Sequence, residues 1–222
     1  MNLEKGSADF FSRKNSLPLF PVDMVTYPGE LVKIQISDPR YLELIRFCEE
    51  NEVGFGILPV IGKRLFAYGC AVKLLFVNRD FADNRFEVTL VGTKVFYLNK
   101  FLSGADPTSS YPFGDVRFLE QDSNKKSSLF VKKKVEKIFL EINEVLLEKG
   151  GCDFFLGDEK DFSLDLLDKK ETNSYFMASR ILGLSLNERA MLLTFRSESK
   201  RLEFLYRQMK KLLSILKKVF DE

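Results

Sequence analysis

Histidine is missing from all 222 residues. Its absence removes the Ser-His and Cys-His pairs that activate a nucleophile and every metal site that needs an imidazole ligand. Asp, Glu, Lys, Tyr and Cys are the acids and bases that remain. Cysteine is scarce as well. Cys48, Cys70 and Cys152 are odd in number, far apart and free of any Cys-x-x-Cys spacing, so neither a disulfide framework nor a zinc site is predicted. They read as reduced thiols of a cytoplasmic protein. No run approaches the ~18 apolar residues of a membrane-spanning helix. The start, Met1-Asn2-Leu3-Glu4-Lys5-Gly6-Ser7, lacks the basic-then-apolar order of a signal peptide. Net charge is nearly absent too, at +2, which gives no global pull toward nucleic acid or an anionic membrane.

What is present is apolar mass: 45% hydrophobic residues, with 22 Phe, enough for a proper core. The texture changes near residue 122. Before it, segments are short, β-branched and broken by Gly and Pro; after it they are long, Leu/Lys/Glu-rich and helical in period. We therefore expect a β-rich domain over 15–122, a helical bundle over 129–222, a polar linker between them and a flexible start over 1–14. In the first part, Val32, Ile34 and Ile36 alternate with Lys33 and Gln35, the mark of a half-buried strand. Asp38-Pro39 opens a helix that should end near Asn51. Further strands are expected at 54–60, 66–77, 85–92 and 94–99, with a hairpin turn at Asp83-Asn84. In the second part, Val131, Val135, Ile138, Ile142 and Val145 fall at helical spacing before Gly150-Gly151. A helix should span roughly 171–182, with Gly183 ending it. Ser185-Leu186-Asn187-Glu188 has the form of a capping box, and a last helix carries Leu202, Leu205, Met209, Leu212, Leu216 and Phe220.

One phosphate-loop lookalike fails. In Gly56-Ile57-Leu58-Pro59-Val60-Ile61-Gly62-Lys63-Arg64 five residues separate the glycines instead of four, and Arg64 stands where Ser or Thr must reach magnesium. Pro59 also brings no backbone donor. No ATPase activity is expected.

An ordered series of short motifs points to one family. It opens with Leu17-Pro18-Leu19-Phe20-Pro21 and Tyr27-Pro28-Gly29, and continues through Asp38-Pro39-Arg40-Tyr41 and Gly54-Phe55-Gly56-Ile57. Tyr68-Gly69-Cys70-Ala71-Val72, Val91-Gly92-Thr93-Lys94, Tyr111-Pro112, Leu164-Asp165-Leu166-Leu167-Asp168, Leu192-Leu193 and Arg201-Leu202 follow in order. The series resembles the Lon N-terminal, substrate-binding domain over about residues 17 to 216. The resemblance implies an α+β fold: a β-rich PUA-like pseudo-barrel followed by a C-terminal helical bundle. It implies a stand-alone form without the ATPase and Ser-Lys peptidase domains, hence a binding module and not an enzyme, with no catalytic residue, cofactor or metal. The function it implies is recognition of exposed apolar or unfolded polypeptide, with an ATPase or protease in trans as a further partner. Phe66, Tyr68, Phe96, Tyr97, Tyr111 and Phe113 are the candidate lining residues of a groove for that polypeptide. Pro28, Gly29, Pro39, Arg40 and Tyr41 are expected to be structural. A rival is a PUA-like nucleic-acid module using Lys125-Lys126 and Lys132-Lys133-Lys134; a solvated helix start explains the same lysines.

Overall fold

The computed structural model of the protein describes residues 16–80, 85–103, 110–120, 129–148, 174–181 and 183–220. The turn expected at 83–84, the linker after 120, the glycine stop at 150–151, the match at 164–168 and Cys152 lie outside them. The chain forms two compact units, Met1–Leu119 and Glu120–Glu222.

In the first unit the elements run β1 Ser16–Val22, β2 Leu31–Ile36, α1 Pro39–Glu50, β3 Phe55–Ile61, β4 Arg64–Leu65, β5 Tyr68–Asp80, β6 Arg85–Leu102 and β7 Phe113–Phe118. Five of the strands close on themselves. Neighbours run β1-β7-β6-β5-β3, and β1 then pairs in parallel with β3, Leu19 opposite Gly56. The other pairings are antiparallel. β2 lies along the first half of β6, from Leu31 opposite Val91 to Ile36 opposite Phe86. The phosphate-loop lookalike is strand β3 with its hairpin turn Gly62-Lys63 into β4.

Two apolar clusters follow from this closure. Leu19, Leu58, Ala71, Phe96 and Val116, one from each strand of the ring, pack together. Leu42, Leu44, Ile45 and Cys48 of α1 pack on Ile36, Val72, Phe86, Val88 and Leu90. That is the alternating face of β2, β5 and β6 covered by one helical stripe.

The two strands expected at 85–92 and 94–99 are one: β6 continues past Thr93, which is the extra residue of a bulge between Gly92 opposite Val72 and Lys94 opposite Ala71. Gly92 is a place of close approach. Its N–H donates to the Glu30 carbonyl and its carbonyl accepts from Gly29 N–H, both at 2.9 Å. A Cβ there would sit 1.9 Å from the Tyr27 carbonyl oxygen. The turn pressing on it has Pro28 and then Gly29 at φ +82°, with Glu30 N–H bonded back to the Tyr27 carbonyl at 3.1 Å, a type II turn that needs a left-handed third residue.

The second unit is helical: α2 Leu129–Glu148, α3 Ser174–Arg180, α4 Leu186–Thr194 and α5 Glu198–Phe220. Ser185 and Glu188 form the expected capping box at the start of α4. Val135, Ile138, Phe139 and Ile142 of α2 and Leu202, Leu205, Met209 and Leu213 of α5 are buried. Arg201 is buried as well, 3% exposed. It donates to Glu198 at 2.8 Å, to the Phe195 carbonyl at 2.6 Å and to Ser174 Oγ at 2.8 Å, and lies 4.4 Å from the Tyr175 ring. Among the described residues no helix is long and apolar enough to cross a membrane.

Candidate functional site

The structure divides the six candidate aromatics. Phe96, Tyr111 and Phe113 are core residues at 0%, 3% and 2% exposure, so they cannot line an open groove as expected. Register explains it. Phe96 lies opposite Gly69, and its ring occupies the space a side chain there would need: a Cβ on Gly69 would come within 2.4 Å of it. Tyr111 and Phe113 join the cluster under α1, with ring centroids 5.2 Å apart.

Phe66, Tyr68 and Tyr97 are half-buried and come together. Tyr68 lies directly opposite Tyr97, and Tyr97 opposite Arg117, so these three share one face across β5, β6 and β7. The Tyr68 and Tyr97 rings meet edge to face at 5.1 Å, Phe66 stands 5.9 Å from Tyr68, and the Arg117 guanidinium lies 5.6 Å over the Tyr97 ring. The result is a short aromatic row with one cation at its end.

The five motif residues sit in local joints. Pro28 and Gly29 make the turn on Gly92. Pro39 is in the first turn of α1, capped by Asp38, whose carboxylate accepts from Arg40 N–H at 3.0 Å. The Arg40 guanidinium donates to the same carboxylate at 2.7 Å and holds its pKa below the usual carboxylate value. The Tyr41 ring meets Phe20 edge-on at 4.5 Å, and burial raises its hydroxyl pKa.

A second surface was missed by sequence reasoning. β3 pairs with β5 only at Cys70, Ala71 and Val72. Beyond them β5 has β6 on one side and, among the described residues, no strand on the other. In this open stretch Leu74 pairs with Leu90 and Phe76 with Thr89, so Leu75 is the extra residue of a β-bulge. The bulge turns two consecutive apolar side chains outward, Leu75 at 56% and Phe76 at 63% exposure. Beside the edge lies a cleft of about 300 Å³, walled by Lys73 to Val77 on one side and by the end of α1, Cys48, Glu49, Glu52, Val53 and Gly54, on the other. The signal was in the sequence: Leu74-Leu75-Phe76-Val77 breaks the period of two that a strand with one buried face requires.

The end of α1 has an unusual closure. Val53 N–H bonds to the Cys48 carbonyl at 3.0 Å and Glu52 N–H to the Glu49 carbonyl at 3.4 Å, the paired bonds of a Schellman motif. Its left-handed position, commonly glycine, is Glu52 at φ +54°. The last turn carries no basic residue, and Glu49 and Glu50 stand there against the negative end of the helix dipole. Arg79 pairs with Glu49.

Burial pushes the Cys48 and Cys70 thiols up to about 12. Among the described residues no three of His, Cys, Asp and Glu cluster as a metal site would require. Of the basic cluster, Lys133 and Lys134 are exposed on α2, whereas Lys125 and Lys126 and the side chain of Lys132 lie outside the described residues.

Residues 16–211 match the family model of the ATP-dependent protease La (LON) substrate-binding domain. Comparison with curated proteins found no significant match. Among solved structures, a Lon N-terminal domain protein from Xanthomonas campestris superposes with a TM-score of 0.60 at 22% identity, over 86% of this chain and 96% of that one. The N-terminal domain of the Mycobacterium avium complex Lon protease gives 0.62 at 17% identity, over 88% and 98%.

Proposed function

From the premise that this chain belongs to the Lon substrate-binding domain family, we propose that it is a cytoplasmic binding module for exposed apolar or unfolded polypeptide, with no reaction of its own. The observation that carries this reading is the row Phe66–Tyr68–Tyr97 with Arg117 at its end. Half-buried rings, Tyr68 and Tyr97 on paired strands and Phe66 in the short connection before β5, offer apolar area at low entropic cost, because the rings are already ordered. The free, buried thiols Cys48 and Cys70 fit a reducing compartment. A client released by such a module would pass to an ATPase or protease acting in trans.

Fluorescence anisotropy with a labelled, chemically denatured client tests the reading. The chain should bind it at micromolar concentration and ignore the same client when folded. Tyr97→Ser should weaken binding by about tenfold, the effect of removing a central aromatic contact. A folded sample that binds no unfolded chain would sink the proposal.

A further inference from the structure

We infer that the open edge of β5 is a docking strand for an extended polypeptide segment in which apolar residues are flanked by Lys or Arg. The inference rests on the reading of the chain as a polypeptide binder and assigns a second contact surface and a client chemistry to it.

Three observations converge at this edge. The first is main-chain capacity: from Lys73 onward one side of β5 has no strand partner among the described residues. Strand N–H and C=O groups that face outward are satisfied by adding one more strand, the mode called β-augmentation. The second is apolar grip. The bulge presents Leu75 and Phe76 together, and the adjacent cleft of about 300 Å³ has room for one client side chain.

The third is charge. The cleft wall opposite β5 is the carboxyl end of α1, a site of negative potential from the helix dipole. Glu49 and Glu52 line it, with no basic residue in the last helical turn. Both features work against stability. Acidic groups oppose the dipole there, and a non-glycine residue is held left-handed at Glu52. Local departures of this kind concentrate where a surface has work to do. Arg79 pairs with Glu49 and Lys73 lines the β5 side of the cleft, so the acidic group left to meet a cationic side chain next to the apolar one is Glu52 at the helix end.

Labelled extended peptides in anisotropy titrations with the whole chain test this. A peptide with an apolar core and Lys flanks should bind about fivefold tighter than the same core with Glu flanks, the size of one or two exposed ion pairs. N-methylation of alternate amides in the peptide, which removes its donors without touching the protein, should lower affinity by about tenfold. Glu52→Gly should raise the thermal midpoint and lose the preference for Lys flanks, a combination that simple misfolding cannot produce. Equal affinity for both flanks, or indifference to N-methylation, overturns the inference. So does a dimer in sedimentation that the peptide fails to dissolve, because the edge would then belong to a second copy. Continued binding of denatured client with sensitivity to Tyr97→Ser would leave the proposed function standing in each of those cases.

Discussion

At the scale of single residues, the positions most sensitive to substitution are those where the backbone has no slack. Gly92→Ala should destabilise the first unit by about 2–3 kcal/mol, because the added carbon has no space beside the Tyr27 carbonyl; urea unfolding would register it as a lower midpoint. Glu52→Gly should do the opposite by about 1 kcal/mol, since glycine enters the left-handed region freely. The two thiols give a pH dependence. Cys48 and Cys70 move from an ordinary 9.0 to about 12 on folding, so the folded state keeps the proton that the unfolded state gives up. Their contribution is fully present below pH 9 and is lost as pH rises from 9 toward 12. A stability profile in that window should fall, and double replacement of Cys48 and Cys70 by Ala should flatten the fall.

At the scale of elements, how much could be read from the sequence depended on how local the cause was. β2, α1 and α4 were legible because their signals sit within a few residues: the alternation of Val32, Ile34 and Ile36, the Asp38-Pro39 start, and the Ser185–Glu188 box. β6 was expected as two strands parted at Thr93; that residue is a bulge within one strand, and Gly92 beside it serves a turn about sixty residues earlier in the chain. β7 was not foreseen at all. Its partners are β1 and the end of β6, and no local pattern in Phe113–Phe118 announces them. The aromatic site shows the same limit. Phe96 and Tyr97 are adjacent and chemically alike, and only the register with Gly69 and Tyr68 decides which one faces the core. In the helical unit, α3 and α5 are tied through Arg201, Glu198 and Ser174. Arg201→Ala should cost about 3–5 kcal/mol, because Glu198 loses the partner of a buried pair. Loss of helical circular dichroism at lower temperature would show it.

At the scale of the whole molecule, binding should depend on salt in two different ways. Contact with the aromatic row is apolar and should change little between 50 mM and 500 mM salt, whereas the Lys-flank preference at the β5 edge should fade over that range as the Debye length shrinks. Titrations of both peptides across ionic strength would separate the two surfaces. The ring itself has a last consequence. β1 completes its pairing only when it meets both β3 and β7, and β7 is the last strand of its unit. A chain leaving the ribosome therefore exposes its first apolar strand long before the strand that seals it exists. Until Phe113–Phe118 emerges, the protein is itself a nascent chain with open edges, dependent on the same kind of protection we propose that it gives.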